Sequence, residues 1–550
     1  MGFRKAPSGA FSFRQAQSEV GFVRLVFTRA ALFAIGAMWF AVAAAADVAL
    51  RESTPFSPTL TTGQYRLTYD SVALPGNESL GLLGGNYLID RPLGYLGLGV
   101  YAAVAGRRGG FFTGGFEAGH AWRFSGDWLF DLGFFAGGGG GGGAPQGGGM
   151  MLRPHVGLMR DTDWGRLGGS LSRVAFPNGG IASTNFSFQW ERDFSSLFRM
   201  GWARSSADAT PWVSARDVGP VSVARRSVGL QIVRYIPGLG QVGRGGVVHD
   251  QAFDVLGLRA RQALSGPWWG EFSTAGALGG NSDGYAEIFA GLGYRLGCFH
   301  ALECSAGFQM GAAGGGDVDT GGGVVLRAVT GLIYQGPPWQ LGVDLIYAHA
   351  LDGHFQAPAF AAHLAYAYHT LSPASVATSD GVDFGQIEWA RYRIRAAVQR
   401  YGNMSAGSRK QTGLDGVSVD LVALKLDAFF ADNLFVTGQA EGAYDGGAGG
   451  YATGLVGLGA RYSILTVPKL YGGAELLLGA AGGGGISVGG GVIAQPMVNL
   501  GVEFDPRLGF ELGYGYVSAR GTQLRANVID VAMVYHLQAP RVKARYAAVE

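Results

Sequence analysis

Arg391, Arg393 and Arg395 stand at alternate positions, with Tyr392, Ile394, Ala396 and Val398 between and after them. In an extended chain alternate residues share one face, so the three guanidinium groups form a stripe. If that face lines water, the stripe attracts anions as charged rings do in pores. If it is enclosed, it must be neutralised, and Glu388, Glu441 and Asp420 are the carboxylates expected to pair with it. Arg66, Asp70 and Glu191 fall on the polar phase of other alternating segments and extend the same candidate lining.

The remaining reactive residues point to less. His363 and His369 share a strand face but lie six residues apart, about 20 Å, too far to hold one metal ion. Gly137 to Gly143 is an unbroken glycine run, followed by Ala144-Pro145-Gln146 and later Met150-Met151. A phosphate loop needs a lysine and a hydroxyl residue opening a helix, so the run is a strand-end bend or hairpin tip. Cys298 and Cys304 flank five residues and suit a disulfide closing a turn, and no cysteine–histidine spacing makes a zinc site. No serine–histidine–acid constellation can be picked out. No enzyme activity, cofactor or metal is expected.

What positions these residues is alternation itself. Tyr65, Leu67 and Tyr69 interleave with Arg66, Thr68 and Asp70, and Phe186, Phe188 and Trp190 with Ser187, Gln189 and Glu191. Leu341 to Tyr347 and Leu508 to Tyr516 repeat the pattern. Period two is the mark of strands with two unlike faces. Aromatics stand at the ends of many apolar faces, and glycine or alanine fills many alternate positions. Very short turns such as Asp90-Arg91-Pro92 and Ser125-Gly126-Asp127 suit an up-and-down meander. These features favour an antiparallel barrel in lipid over a soluble sandwich.

Composition agrees. Of 550 residues, 15% are charged and 96 are glycine, with a net charge of +2. An average soluble domain is about 25% charged and about 7% glycine. The low charge excludes a disordered chain and a nucleic-acid binder. Twenty prolines without a glycine triplet period exclude collagen.

Arg24 and Arg29 precede the apolar stretch Ala30 to Val42 and then Ala44-Ala45-Ala46. That order reads as a secretory signal peptide over residues 1–46, cleaved between Ala46 and Asp47.

Two motifs recur at one period. GGG segments begin at Gly147, Gly321 and Gly489, and related segments begin at Gly110, Gly284 and Gly450. The spacings are 174 and 168 residues for the first set, 174 and 166 for the second. One unit cuts into eight strands, starting near Tyr65, Leu80, Tyr95, Phe111, Trp128, Met150, Trp164 and Thr184. Three units give about 24 strands.

The organisation expected is repeat 1 over 47–193, a connector over 194–220, and repeat 2 over 221–370. A second connector over 371–384, repeat 3 over 385–537 and a tail over 538–550 complete it. Small lumenal residues fill an eight-stranded interior poorly, so one wide all-β transmembrane barrel is expected. Three tandem eight-stranded barrels are the alternative.

With its export signal, alternating strands and final strand Ile529-Val531-Met533-Tyr535-Leu537, the chain resembles Gram-negative outer-membrane β-barrel proteins as a broad class. The resemblance spans about Gly63 to Leu537. Members of that class often end on an aromatic, where this chain has Leu537 with thirteen residues after it. The resemblance implies outer-membrane localisation, contact with lipid and lipopolysaccharide, and insertion by the barrel assembly machinery. The function expected is a channel or export pore for hydrophilic solutes or a polymer, with short loops and a periplasmic partner docked at the connectors. A structural or adhesive protein without transport is the alternative, favoured if the units close separately.

Overall fold

The structure is a computed structural model that describes residues 58–202, 221–373 and 387–542, apart from 298, 300, 412 and 465–469. The cleavage site at Ala46 and Asp47 lies outside the described residues. Every regular element described is a strand.

The first eight are β1 (Pro58–Leu74), β2 (Glu78–Arg91), β3 (Gly94–Ala105), β4 (Phe111–Ser125), β5 (Trp128–Gly141), β6 (Met151–Thr162), β7 (Gly165–Ala175) and β8 (Ala182–Met200). The next are β9 (Val221–Tyr235), β10 (Phe253–Ala263), β11 (Trp268–Gly279), β12 (Ala286–Arg295), β13 (Leu302–Gly314), β14 (Val324–Gly336), β15 (Trp339–Ala350) and β16 (Gln356–Pro373). The last are β17 (Ile387–Gly402), β18 (Val419–Phe429), β19 (Leu434–Asp445), β20 (Ala452–Ser463), β21 (Leu470–Gly482), β22 (Val492–Glu503), β23 (Leu508–Ala519) and β24 (Arg525–Val542).

Each strand pairs antiparallel with its chain neighbour inside a set of eight, and each set then closes on itself. β1 pairs with β8 from Pro58–Arg199 to Asp70–Ser187. β9 pairs with β16 from Val221–Pro373 to Tyr235–Ala359, and β17 with β24 from Ile387–Val542 to Gly402–Asn527. The wide single barrel expected from the sequence is therefore replaced by three closed rings. Local alternation is the same in both architectures, and only the partners of the first and last strand of each set differ.

The faces run opposite to those of a water-soluble protein. Tyr65, Leu67 and Tyr69 are exposed while Arg66, Thr68 and Asp70 are buried. Phe186 and Phe188 likewise point out around a buried Ser187, and Leu341, Val343, Leu345 and Tyr347 around a buried Asp344. A large apolar outer surface is stable against hydrocarbon and unfavourable in water.

All three rings begin and end at the same end, here called the near end. At the opposite, far end the rings meet through glycine. Gly110, Gly284 and Gly450 have φ of +84°, +92° and +90°. A Cβ on each would lie 2.3 Å from the nitrogen of Gly315, 2.9 Å from that of Gly483 and 2.8 Å from that of Gly141, always in the next ring. Both the backbone conformation and the approach demand glycine. Gly109 N–H also donates to Gly321 O at 2.9 Å, and Gly449 N–H to Gly147 O at 3.1 Å. The recurring glycine motifs are thus inter-ring contacts.

At the near end β24 pairs briefly with β8, through Leu537–Met200 and Gln538–Arg199. It also meets β16 through His369–Val542 and Thr370–Arg541. Leu197, Val221, Leu371 and Ile387 bury together there.

Several boundaries shift. β8 runs to Met200 and β16 to Pro373, so both expected connectors start inside strands. β24 runs past Leu537 to Val542, because it binds two other rings as well as its own. The loops are not uniformly short: residues 236–252 and 403–418 form long far-end connections.

Candidate functional site in the ring interiors

The lumens are filled. In the third ring, alternation along β17 turns Arg393 and Arg395 inward, both essentially inaccessible. Arg393 Nε donates to Asp427 Oδ2 at 2.6 Å and Nη1 to Glu511 Oε2 at 3.0 Å. Arg395 Nη1 reaches Glu475 Oε1 at 2.6 Å and Glu511 Oε1 at 2.7 Å, and Nη2 reaches Asp427 Oδ1 at 2.8 Å. The Tyr471 hydroxyl donates to Glu511 at 2.9 Å. Nearby, Lys425 pairs with Asp530 at 2.7 Å.

The partners expected from the sequence are elsewhere. Asp420 pairs with Arg400, while Glu441 accepts from the Tyr401 and Thr453 hydroxyls. Glu388 is exposed near the start of β17. Arg391 is not lumenal either: it sits at the rim, 2.9 Å from Asp432, whose side chain is 95% exposed. Two arginines of the stripe, not three, enter the interior.

The first ring builds the same device from Arg66. Its Nε donates to Glu191 at 2.6 Å and Nη1 to Glu117 at 2.7 Å, and Nη2 lies 3.3 Å from Asp131. Arg66 stands directly opposite Glu191 across the β1–β8 seam. Asp70 takes Arg153 at 2.9 Å and the Ser172 hydroxyl at 2.5 Å. His155 Nε2 lies 2.9 Å from Asp131.

In the second ring Arg259 meets Asp344 at 2.7 Å and Glu271 at 2.8 Å. His363 Nδ1 is 3.3 Å from Asp344. Arg327 pairs with Glu287, which also accepts from Tyr235 and Tyr285.

Glycine explains how eight strands hold so much. A Cβ on Gly133 would lie 2.4 Å from both His155 Cε1 and the Tyr95 hydroxyl oxygen. One on Gly342 would lie 2.2 Å from His363 Nε2, and one on Gly501 2.1 Å from a Tyr471 ring carbon. Inward glycines are the space into which the large side chains fold. In sequence the same small residues suggest a wide, poorly filled lumen; in the fold they make room for arginine, histidine and tyrosine.

Beyond the charged layers, toward the far end, each ring carries its own apolar cluster. Phe111, Phe135, Met151 and Phe176 belong to the first, Tyr235, Phe253 and Phe355 to the second, and Tyr401, Tyr451 and Leu524 to the third.

Glu117, Asp131, Arg153, Arg259, Glu271, Asp427, Glu475 and Glu511 were not singled out from the sequence. Phase carried a signal for some: Glu511 lies between Phe510 and Leu512 as Asp344 lies between Val343 and Leu345. Of the two cysteines, Cys304 is disulfide-bonded, and Cys298 lies outside the described residues.

Closed antiparallel rings, apolar outside and charged within, define a transmembrane β-barrel protein of the outer-membrane class. No family model matches the chain, and no curated protein matches it in sequence. Similar solved structures include OccK11 (OpdR) of Pseudomonas aeruginosa, 13% identical, covering 87% of this chain and 96% of that one with a TM-score of 0.20. OccAB3 of Acinetobacter baumannii is 11% identical over 87% and 98%, at a TM-score of 0.21. The ferric enterobactin receptor PfeA of P. aeruginosa is 8% identical over 86% and 81%, at 0.25.

Proposed function

We propose that the protein is a gated outer-membrane channel of three narrow barrels, each shut by an arginine–carboxylate plug. The observation that carries this reading is the sharing of single guanidinium groups among several carboxylates. Arg66 touches Glu117, Asp131 and Glu191, and Arg395 touches Asp427, Glu475 and Glu511. Such an arginine can pass between partners without ever being left unpaired, which an unpaired charge in a lumen could not afford. Ionisable groups at membrane depth commonly mark ion pathways.

An eight-stranded ring is too narrow for a polymer, so small ions or small hydrophilic solutes are the cargo class. The shared sequence motifs and matching glycine conformations support descent of the three barrels from one repeated unit.

The apolar clusters at the far ends favour a second reading, a structural protein with permanently filled barrels. Planar bilayer recording separates the two. Small steps that grow when Arg395→Ala is combined with Glu475→Gln, recorded on the folded fraction of that variant, support gating. Silence from both wild type and variant supports the structural reading.

A further inference from the structure

The third ring has a closure that its own strands do not supply. The chain leaving β8 of the first ring turns at Gly201, φ +91°, and carries Trp202 into the near mouth of the third ring. The indole stacks on His536 of β24 at 4.2 Å between ring centroids and meets Phe429 of β18 edge-on at 4.7 Å. The guanidinium groups of Arg461 and Arg391 lie 5.2 and 5.7 Å from its centroid. Behind it the aromatic layer continues inward: Phe429 packs on Phe435 at 5.0 Å, and Arg393 of the plug lies 4.8 Å from Phe435.

We infer that Trp202 is a removable stopper, sealing the third ring's lumen at the near end with a residue that belongs to the chain of the first ring. The inference rests on the gated-channel reading for its purpose, but the seal itself does not need conduction.

Three features separate a stopper from ordinary packing. Trp202 lies outside every strand ladder, so its withdrawal breaks no barrel. The four hydrogen bonds that hold this dipeptide all go to backbone carbonyls and none belongs to a barrel ladder: Gly201 N–H to His536 O at 2.9 Å, Trp202 N–H to Pro506 O at 3.0 Å, and the indole N–H to Tyr392 O at 3.2 Å and Leu537 O at 3.4 Å. Its ring stacks on one imidazole and lies within cation–π range of two guanidinium groups, contacts aromatic rings favour. Displacing Gly201 and Trp202 would therefore uncover the near mouth of the third ring and leave the arginine–carboxylate plug behind it in place.

The test places a reporter behind the stopper. Phe435→Cys is made in the full-length protein and treated, unreduced, with a charged membrane-impermeant thiol reagent. The protein without that cysteine serves as the blank. Labelling is scored only on the folded fraction, identified by faster migration of unheated samples. With Trp202 intact, labelling is expected to be slow. Trp202→Ala, or Trp202→Leu should the alanine variant fold poorly, is expected to speed it by at least about tenfold, as local opening would. Trp202→Phe keeps a flat ring and should stay slow. Equal rates with and without the indole would overturn the stopper, and so would a phenylalanine variant as fast as the alanine one. Accelerated labelling in a protein that is silent in bilayers would uphold the stopper and remove the transport reading alone.

Discussion

Arg391 and Arg395 sit four residues apart on one strand, and replacing each with alanine should have very different consequences. At Arg391 the partner carboxylate of Asp432 is 95% exposed, and solvent screens the pair. Such surface pairs contribute under about 1 kcal/mol. At Arg395 both the guanidinium and its partners Asp427, Glu475 and Glu511 are fully enclosed. Removal leaves three carboxylates sharing Arg393, which lies 2.6 Å from Asp427, 3.0 Å from Glu511 and 3.9 Å from Glu475. Breaking a buried pair by deleting one partner costs roughly 3–5 kcal/mol.

Urea unfolding in detergent micelles, followed by gel mobility and tryptophan fluorescence, measures both variants against wild type. Arg391→Ala should keep the wild-type midpoint, whereas Arg395→Ala should lose several kcal/mol or fail to assemble. Adding Glu475→Gln to Arg395→Ala should recover part of that loss, since it removes one stranded charge. Coincident midpoints for Arg391→Ala and Arg395→Ala would refute the enclosed plug and return the stripe to an open, water-filled lumen.

Gly284→Val should loosen the second ring from the third at a cost of about 1–3 kcal/mol, because a β-branched residue is strained at positive φ and its Cβ would meet Gly483; a lower urea midpoint checks this. Thiol labelling of unreduced, denatured wild-type protein should find no free sulfhydryl, and stoichiometric labelling of two would reject the disulfide at Cys304. In the far-end loop after β13, burial raises the Asp319 carboxyl, but hydrogen bonds from His354 and from the Gly321 and His354 N–H groups hold it below its ordinary value. A depressed carboxyl stabilises at neutral pH and loses that contribution as pH falls through its folded value, so hydrogen exchange around 351–355, corrected for intrinsic rates, should accelerate in acid.

Much of the fold was legible because strand alternation is local. The eight expected starts of the first unit lie within a few residues of the observed strands apart from Tyr65, which falls inside the longer β1. Ring closure was not legible. Whether β8 pairs with β1 or with β9 depends on contacts far apart in sequence, and the same alternating faces serve either choice. The glycine motifs were visible as repeats, but their role appears only when Gly110 meets Gly315 and Gly284 meets Gly483.

The site was half legible for the same reason. Arg66, Asp70, Glu191, Arg393 and Arg395 could be assigned inward by phase. Their partners could not, since Arg395 finds Glu475 across 80 residues and Glu511 across 116. Arg391 shares that phase yet leaves the lumen, because the strand reaches the rim there.

Three separate rings, rather than one, is the claim on which the plugs, the stopper and the proposed gating all depend. Electron cryomicroscopy of the protein in lipid nanodiscs, viewed along the membrane normal, tests it directly. Three small adjoining rings with dense centres, meeting at a common axis, are the expected projection. One wide ring with an empty centre would contradict it.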